Sequence, residues 1–263
     1  MSTSWEDGAK WYSALVGSTG HYYHEHVILP KLQEIFDKSS DISLLDLACG
    51  NAVATSLLPK GSTYFGVDAS KSLIEDARKR LKNLKGKNLE LCFECHDITK
   101  PFELTSKSIG SMKNSFSHAL IMLALQNLED PLGALENAKK YLKPNGKLIL
   151  ILNHPCFRIP RQSHWGVDPK KNLQYRRLDS YLSNQAIPIQ MNPSKQQSKE
   201  LKAFHYPLEA IFGFLKKAGF CTEDFQEWIS DKKSTGGSAK RENRARKEFP
   251  LFCAIVARSD ANS

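Results

Sequence analysis

Two carboxylates and a glycine turn are the residues best placed to hold a ligand. Asp46 lies inside the apolar run Ser43–Cys49, which ends at Gly50-Asn51-Ala52. Asp68 follows Gly50 by 18 residues, at the end of a second run, Thr63–Asp68. A strand ending in a glycine turn, with a carboxylate closing the next strand, is how nucleoside-binding parallel sheets present an acceptor for ribose hydroxyls. Gly50 lets the backbone come close to a ligand. Asn51 and Ala52 follow it, so the Gly-x-Gly-x-x-Gly fingerprint is absent and a dinucleotide with a pyrophosphate is disfavoured. Asp97 closes a third run. His154 directly follows a later strand and is a candidate general base, against the plainer reading of a histidine bonding a loop carbonyl. Arg158, Arg176 and Arg177 could pair with a carboxylate or phosphate; a solvated surface explains each equally well. Near the N-terminus, Trp11-Tyr12 and His21–His26 concentrate aromatic and imidazole groups. They suit either a lid over a ligand or an amphipathic helix packed on a sheet edge. The six cysteines, at 49, 92, 95, 156, 221 and 253, read as free thiols. Cys92-Phe-Glu-Cys95 sits in a strand-like alternation with no second pair at zinc spacing, so no metal site is expected.

These residues need elements to position them. Apolar runs at 43–49, 63–68, 89–96, 116–125 and 147–153 read as five strands. Between them, Ala52–Leu58 is a short helix stopped by Pro59. Ser70 caps a helix with Leu73, Ile74, Ala77 and Leu81 on one face. Pro131 opens another, running to Leu142. Near-continuous apolar strands alternating with helices indicate a parallel sheet covered on both faces. The pattern stops at 155–202, which contains five prolines. It resumes with a helix at 207–218, with His205 at its start, and two strands at 220–229 and 249–258. The polar segment 230–248 between those strands reads as a loop, which makes them antiparallel. A connection as long as 155–202 is usually functional or disordered.

Asp46-Leu-Ala48-Cys49-Gly50-Asn51-Ala52 resembles the first-strand motif of class I S-adenosylmethionine-dependent methyltransferases, Asp-x-Gly-Cys-Gly-x-Gly, with alanine at two glycine positions. The likeness continues through Tyr64–Ser70, His96-Asp97-Ile98, Phe116–Pro131 and Leu142–Lys147. It is firm over 41–153 and holds by pattern over 205–258. One departure is Phe116-Ser117, where the family often has Phe-Asp. The resemblance implies an α/β fold: a Rossmann-like, seven-stranded, mostly parallel sheet with helices on both faces, an antiparallel last strand and an insertion after the fifth strand. It implies one methyltransferase domain over 1–263. Its parts are an N-terminal helical cover (1–40), a cofactor-binding core (41–154), a substrate lid (155–202) and the C-terminal part of the sheet (203–259). It also implies S-adenosyl-L-methionine as cofactor and S-adenosyl-L-homocysteine as product. The expected cofactor residues are Tyr12, Asp46, Ala48, Cys49, Gly50, Asn51, Asp68, Ala69, Asp97, Ile98, Met122 and Leu123. Asp46 supports the loop, Asp68 takes the ribose and Asp97 meets the adenine amino group. The expected acceptor residues are Tyr23, His24, Arg158, Trp165, Tyr175 and Arg176, with His154 as base. Methyl transfer by in-line displacement needs alignment above all, so no fixed catalytic dyad is expected.

The chain has 263 residues, 41% apolar and 25% charged, with a net charge of +9. No apolar run approaches 18 residues, so no membrane-spanning helix is expected. The polar N-terminus lacks a signal-peptide pattern, which makes the cytoplasm the default location. A basic balance invites a nucleic-acid partner, but the charge is local. Residues 155–202 hold nine Lys/Arg and three acids, and residues 230–248 hold seven and three. The rest is close to neutral. A small-molecule acceptor is therefore favoured, anionic if the arginines engage it. An RNA or protein methyltransferase is the alternative, although no Asn-Pro-Pro-Tyr-type tetrapeptide ends the fourth strand. A non-catalytic S-adenosylmethionine binder is the second alternative.

Overall fold

The computed structural model describes residues 6–9, 13–14, 20–37, 42–82, 89–106, 110–190 and 200–260. The strands, in chain order, are β1 (Ser43–Leu47), β2 (Thr63–Asp68), β3 (Glu90–Cys95), the short β4 (Thr105–Ser106) and β5 (Gly110–Ser111), β6 (Phe116–Met122) and β7 (Leu142–Asn153). They continue with β8 (Ser163–Asp168), β9 (Leu173–Leu178), β10 (Gln185–Gln190), β11 (Glu200–His205), β12 (Phe220–Trp228) and β13 (Phe252–Ser259). The α-helices are α1 (Leu29–Phe36), α2 (Lys71–Leu81), α3 (Pro131–Tyr141), α4 (Leu208–Lys217) and α5 (Ala239–Glu248).

Seven strands form one sheet in the order β12-β13-β7-β6-β1-β2-β3. Only β13 runs against its neighbours, pairing antiparallel with both β7 and β12. This is the architecture the sequence predicts. The alternation of side chains along each strand fills two layers. Leu45 and Leu47 of β1 face the layer of α3 and α4, packing with Ala134, Leu135 and Ile211. Leu44 faces the other layer, with Leu32 and Phe36 of α1 and Ile74 and Ala77 of α2. Strand order reverses between β1 and β6, and this opens the crevice where ligands bind in such sheets.

Local signals fix the helix starts that border this crevice. Ser70 Oγ accepts the Leu73 amide at 3.2 Å, and Asp130 Oδ1 accepts the Gly133 amide at 3.1 Å; such caps are each worth about 1 kcal/mol. The expected helix at 52–58 is a 3-10 turn, Val53–Leu57. The fourth strand ends at Met122 rather than 125, because Leu123 takes φ 53° and a 3-10 turn follows at Leu125–Asn127.

Three expectations need correction. Residues 155–202 carry two hairpins, β8–β9 and β10–β11. Strands exposed on both faces, such as β9 with Leu-Gln-Tyr-Arg-Arg-Leu, leave no apolar alternation to read. His205 ends β11 rather than starting a helix. The 230–248 segment contains α5, which has a single buried residue, Ala245, and so no apolar stripe. At the other end of the chain, His24–Ile28 forms a π-helix that runs directly into α1.

Candidate active site

A cavity of about 650 Å³ opens at the carboxyl ends of β1, β2, β6 and β7. Its first wall is the turn after β1. Ala48, Gly50 and Ala52 all take left-handed backbone angles, with φ of 59°, 50° and 54°. A glycine adopts that region freely; an alanine does so at a cost of about 1 kcal/mol or more. The alanines that replace two family glycines therefore keep the loop's shape and carry strain. Ala48 and Gly50 line the cavity, while Ala52 is packed beneath it.

Asp68 stands at the centre of this wall, 9% exposed. Its Oδ2 accepts the Gly50 amide at 2.9 Å and its Oδ1 accepts the Ser70 amide at 2.8 Å. Each oxygen keeps lone-pair capacity toward the cavity. Burial pushes its carboxyl above the ordinary value, and the two amides oppose that rise. Asp97 is exposed and also lines the cavity. Its Oδ1 accepts the Thr99 amide and hydroxyl at 3.0 and 2.7 Å, which shapes the turn. The loop is clamped from behind, since a Cβ on Gly133 would stand 2.3 Å from the Thr99 carbonyl oxygen. Ala69, Ile98, Met122 and Leu123 complete the expected cofactor side that the cavity touches.

The remaining expected residues lie elsewhere. Asp46 is fully buried below the loop. Its Oδ2 accepts the Tyr64 hydroxyl at 2.7 Å, and burial drives its pKa up to about 7. Cys49 is buried against Gly66, where a Cβ would approach its Sγ to 2.9 Å. Asn51 faces the N-terminal segment, accepting the Ser13 hydroxyl at 3.3 Å, and its carbonyl accepts from Arg80. Cys49 and Asn51 are thus corrected from cavity residues to supports of the loop. Tyr12 lies outside the described residues.

His154 does not face the cavity. Its Nε2 donates to Glu227 Oε1 at 2.7 Å, and its Nδ1 accepts the Cys156 amide at 3.2 Å. Both ring nitrogens are engaged, burial lowers its pKa, and no lone pair remains for an incoming proton. The base role expected of it is corrected to that of a brace between β7 and β12. Tyr175 is also corrected: it is 46% exposed and covers Gly166 across the hairpin, where a Cβ would stand 2.4 Å from its ring.

The far end of the cavity is lined by His24, Asn153, Arg158, Pro160, Ile189 and Ala203. The N-terminal segment brings His24 there. Glu6 caps the start of α2, accepting the Ser70 hydroxyl at 2.6 Å and the Ser72 amide at 3.2 Å. The Tyr22 hydroxyl donates to Asp231 at 2.8 Å, and Lys232 Nζ lies 4.3 Å from the Tyr22 ring centre. His24 is 8% exposed. Burial lowers its pKa to about 4, so it is neutral near pH 7. Its Nδ1 has no partner among the described residues, nor has Gln126 Oε1 on the same cavity. Both atoms are closed off from solvent, and leaving such groups unpaired is costly. Tyr23, Trp165 and Arg176 line a separate, adjacent cavity, and Arg158 lines both. Sequence reasoning missed Leu73, Thr99, Ala124, Gln126–Glu129, Asn153, Pro160, Ile189 and Ala203 as site residues. Of these, Ala124 and Gln126–Glu129 lie within Phe116–Pro131, and Asn153 and Pro160 border the segment after the fifth strand.

The fold and cavity are those of an open α/β protein with a ligand-sized cavity at the switch point of its sheet. The sequence matches a family model described as a methyltransferase domain over residues 38–164. A demethylmenaquinone methyltransferase of Lactococcus lactis is 28% identical over 193 residues, spanning 71% of this chain and 68% of that protein. A ubiquinone biosynthesis O-methyltransferase of Histophilus somni is 26% identical over 163 residues, spanning 60% and 62%. The crystal structure of an S-adenosylmethionine-dependent methyltransferase from Mesorhizobium loti has the same fold, with a TM-score of 0.63 at 20% identity over 87% of this chain and 96% of that one. The domain match, these relatives and the fold together support a class I S-adenosylmethionine-dependent methyltransferase, with S-adenosylmethionine as cofactor. Among the described residues, no helix is long and apolar enough to cross a membrane, and no His/Cys/Asp/Glu cluster could hold a metal.

Proposed function

We propose that the 650 Å³ cavity holds the cofactor against Gly50, Asp68 and Asp97 and a small methyl acceptor at its far end. The observation that carries this is continuity: one cavity runs from the Gly50–Asp68 wall to His24, Asn153 and Arg158. Its volume falls in the range of about 300–1,000 Å³ typical of small-ligand sites. Asp68 accepts the ribose hydroxyls through its spare lone pairs, Asp97 meets the adenine amino group, and Ile98, Met122 and Leu123 give the apolar floor. Asp68, Asp97 and Glu129 supply negative charge around the cationic cofactor, which suits the residues present.

The cofactor supplies a methyl group already activated by its sulfonium. When bound, it would pass that methyl group to a lone pair of the acceptor and leave as S-adenosylhomocysteine, the electrons of the carbon–sulfur bond staying on sulfur. The protein's task is to align these groups and exclude water. If the acceptor atom carries a proton, His24 supplies the imidazole on the cavity wall, and it is neutral near pH 7. The β10–β11 hairpin closes the site through Ile189 and Ala203, which favours an acceptor that fits inside over a polymer. The relatives named for menaquinone and ubiquinone biosynthesis support a small acceptor. Arg158 at the far end suits one bearing negative charge.

The test is an incubation with methyl-labelled S-adenosylmethionine and a deproteinised, nuclease-treated, low-mass metabolite fraction. Label entering a low-mass product is expected. Label entering only RNA or protein, in parallel incubations with those pools, would overturn the small-acceptor reading.

A further inference from the structure

Beside the main cavity lies a second one of about 250 Å³, walled by Tyr23, Phe157, Arg158, Trp165, Arg176 and Phe249. Its aromatic walls brace one another: Phe157 and Trp165 each meet Phe249 edge-on, with ring centres 5.5 Å apart in both pairs. Two guanidinium groups enter this chamber. Arg176 lies 5.0 Å from the Trp165 ring centre. It is held in place by donating its Nε to the Phe157 carbonyl at 2.7 Å and one terminal nitrogen to Ser163 Oγ at 2.8 Å. Its other terminal nitrogen has no partner among the described residues. Arg158 lies 5.1 Å from the Phe252 ring centre and has no hydrogen-bond acceptor or carboxylate among the described residues.

The chamber therefore holds two cations with no counter-charge. Burial is the main cause lowering the pKa of both; for Arg158, Tyr23 opposes the fall and Arg176 adds to it, and no carboxylate acts on either. Of the chain's acids only Asp7 and Asp41 fall outside the described side chains. Half-buried like charges without an anion are costly. Guanidinium forks bind carboxylate and phosphate with matched geometry, and the four rings accept a planar apolar body beside them. Arg158 lines both cavities, so a ligand held by it in the chamber lies next to the far end of the methyl-transfer site.

We infer that this chamber binds the anionic end of the methyl acceptor, a carboxylate or phosphate monoester carried next to an aromatic ring, with Arg158 and Arg176 as its specificity-determining residues. The inference rests on the proposed methyl-transfer role of the adjoining cavity, and its test separates the two.

The full chain is titrated calorimetrically with benzoate, phenyl phosphate and benzyl alcohol, with and without saturating S-adenosylhomocysteine. The wild type, Arg176→Gln and Arg158→Gln are compared. At least one anionic probe should bind about tenfold or more tightly than benzyl alcohol and lose about tenfold or more in either variant. The tighter of benzoate and phenyl phosphate identifies the oxyanion. Arg176→Gln should keep its affinity for S-adenosylhomocysteine, because Arg176 does not line the larger cavity. The inference is overturned by equal binding of the neutral probe, by wild-type affinity in both variants, or by no binding up to about 10 mM. If a variant fails to fold, the wild-type contrast between anionic and neutral probes decides alone. Failure of S-adenosylhomocysteine to bind would count against the cofactor placement and leave the probe titrations of the free chain readable.

Discussion

Asp46 offers a sharp test of how the cofactor loop is supported. Its carboxyl is 1% exposed and accepts one hydrogen bond, from the Tyr64 hydroxyl. Its other oxygen has no partner among the described residues. Burial raises its pKa from the ordinary 3.8 to about 7, and the Asp68 charge adds to the rise. Between those values the folded chain binds more protons than the unfolded chain, so this group's contribution to stability falls as pH rises through the window. At pH 5 the folded carboxyl is protonated and the unfolded one is ionised. By pH 8 both are ionised. Two pH units of that window, from 5 to 7, correspond to about 3 kcal/mol. Asp46→Asn keeps an acceptor for Tyr64 and removes the titration. Its amide leaves a buried N–H pair in place of the orphan oxygen, a cost of about 1–3 kcal/mol that does not vary with pH. The assay is urea unfolding of both chains without cofactor at pH 5, 6, 7 and 8. Other titrating groups, His24 among them, act equally in both chains and cancel in the difference. The stability of the wild type relative to Asp46→Asn should drop by about 3 kcal/mol from pH 5 to pH 8. A difference constant to within about 0.5 kcal/mol would refute the buried, protonated carboxyl.

Two further outcomes follow from the geometry. Gly133→Ala places a Cβ against the Thr99 carbonyl; the Asp97–Thr99 turn must shift, and affinity for S-adenosylhomocysteine should fall by about tenfold, read by calorimetry. His154→Ala removes the buried bonds to Glu227 and the Cys156 amide. It should cost about 2–3 kcal/mol of stability in urea unfolding while leaving kcat of the folded enzyme within about twofold; a kcat loss of 100-fold or more at unchanged stability would restore the base role.

Much of the cofactor side was legible because it follows from strand ends. A buried strand that stops at Gly50, and another that stops at Asp68, can only present those residues at the carboxyl edge of the sheet. The apolar runs that place them are continuous, and the helix-start signals, the Ser70 cap and Pro131, are local. The acceptor side was less legible because it depends on where side chains turn and on packing between distant segments. His154 follows β7 as expected, but Glu227 on β12 draws its ring away from the cavity. Ile189 and Ala203 reach the site only because β10 and β11 pair over it. In β10 the inward Ile187 and Ile189 are flanked by Pro188 and glutamines, and in β11 four of six residues are buried, so neither strand spells a clean apolar alternation. Helix α5 was hidden because it has one buried residue, Ala245. Arg158 and Arg176 were recognisable as anion-binding types. Their lack of a carboxylate partner could be read only from the fold.

The central claim is that the cavity at the switch point binds the cofactor through Asp68. Calorimetric titration with S-adenosylhomocysteine tests it most directly, on the wild type and on Asp68→Ala, with folding checked by urea unfolding. The account predicts one site in the wild type and a loss of about tenfold or more in the variant. No binding to the wild type, or equal affinity in the two chains, would contradict it.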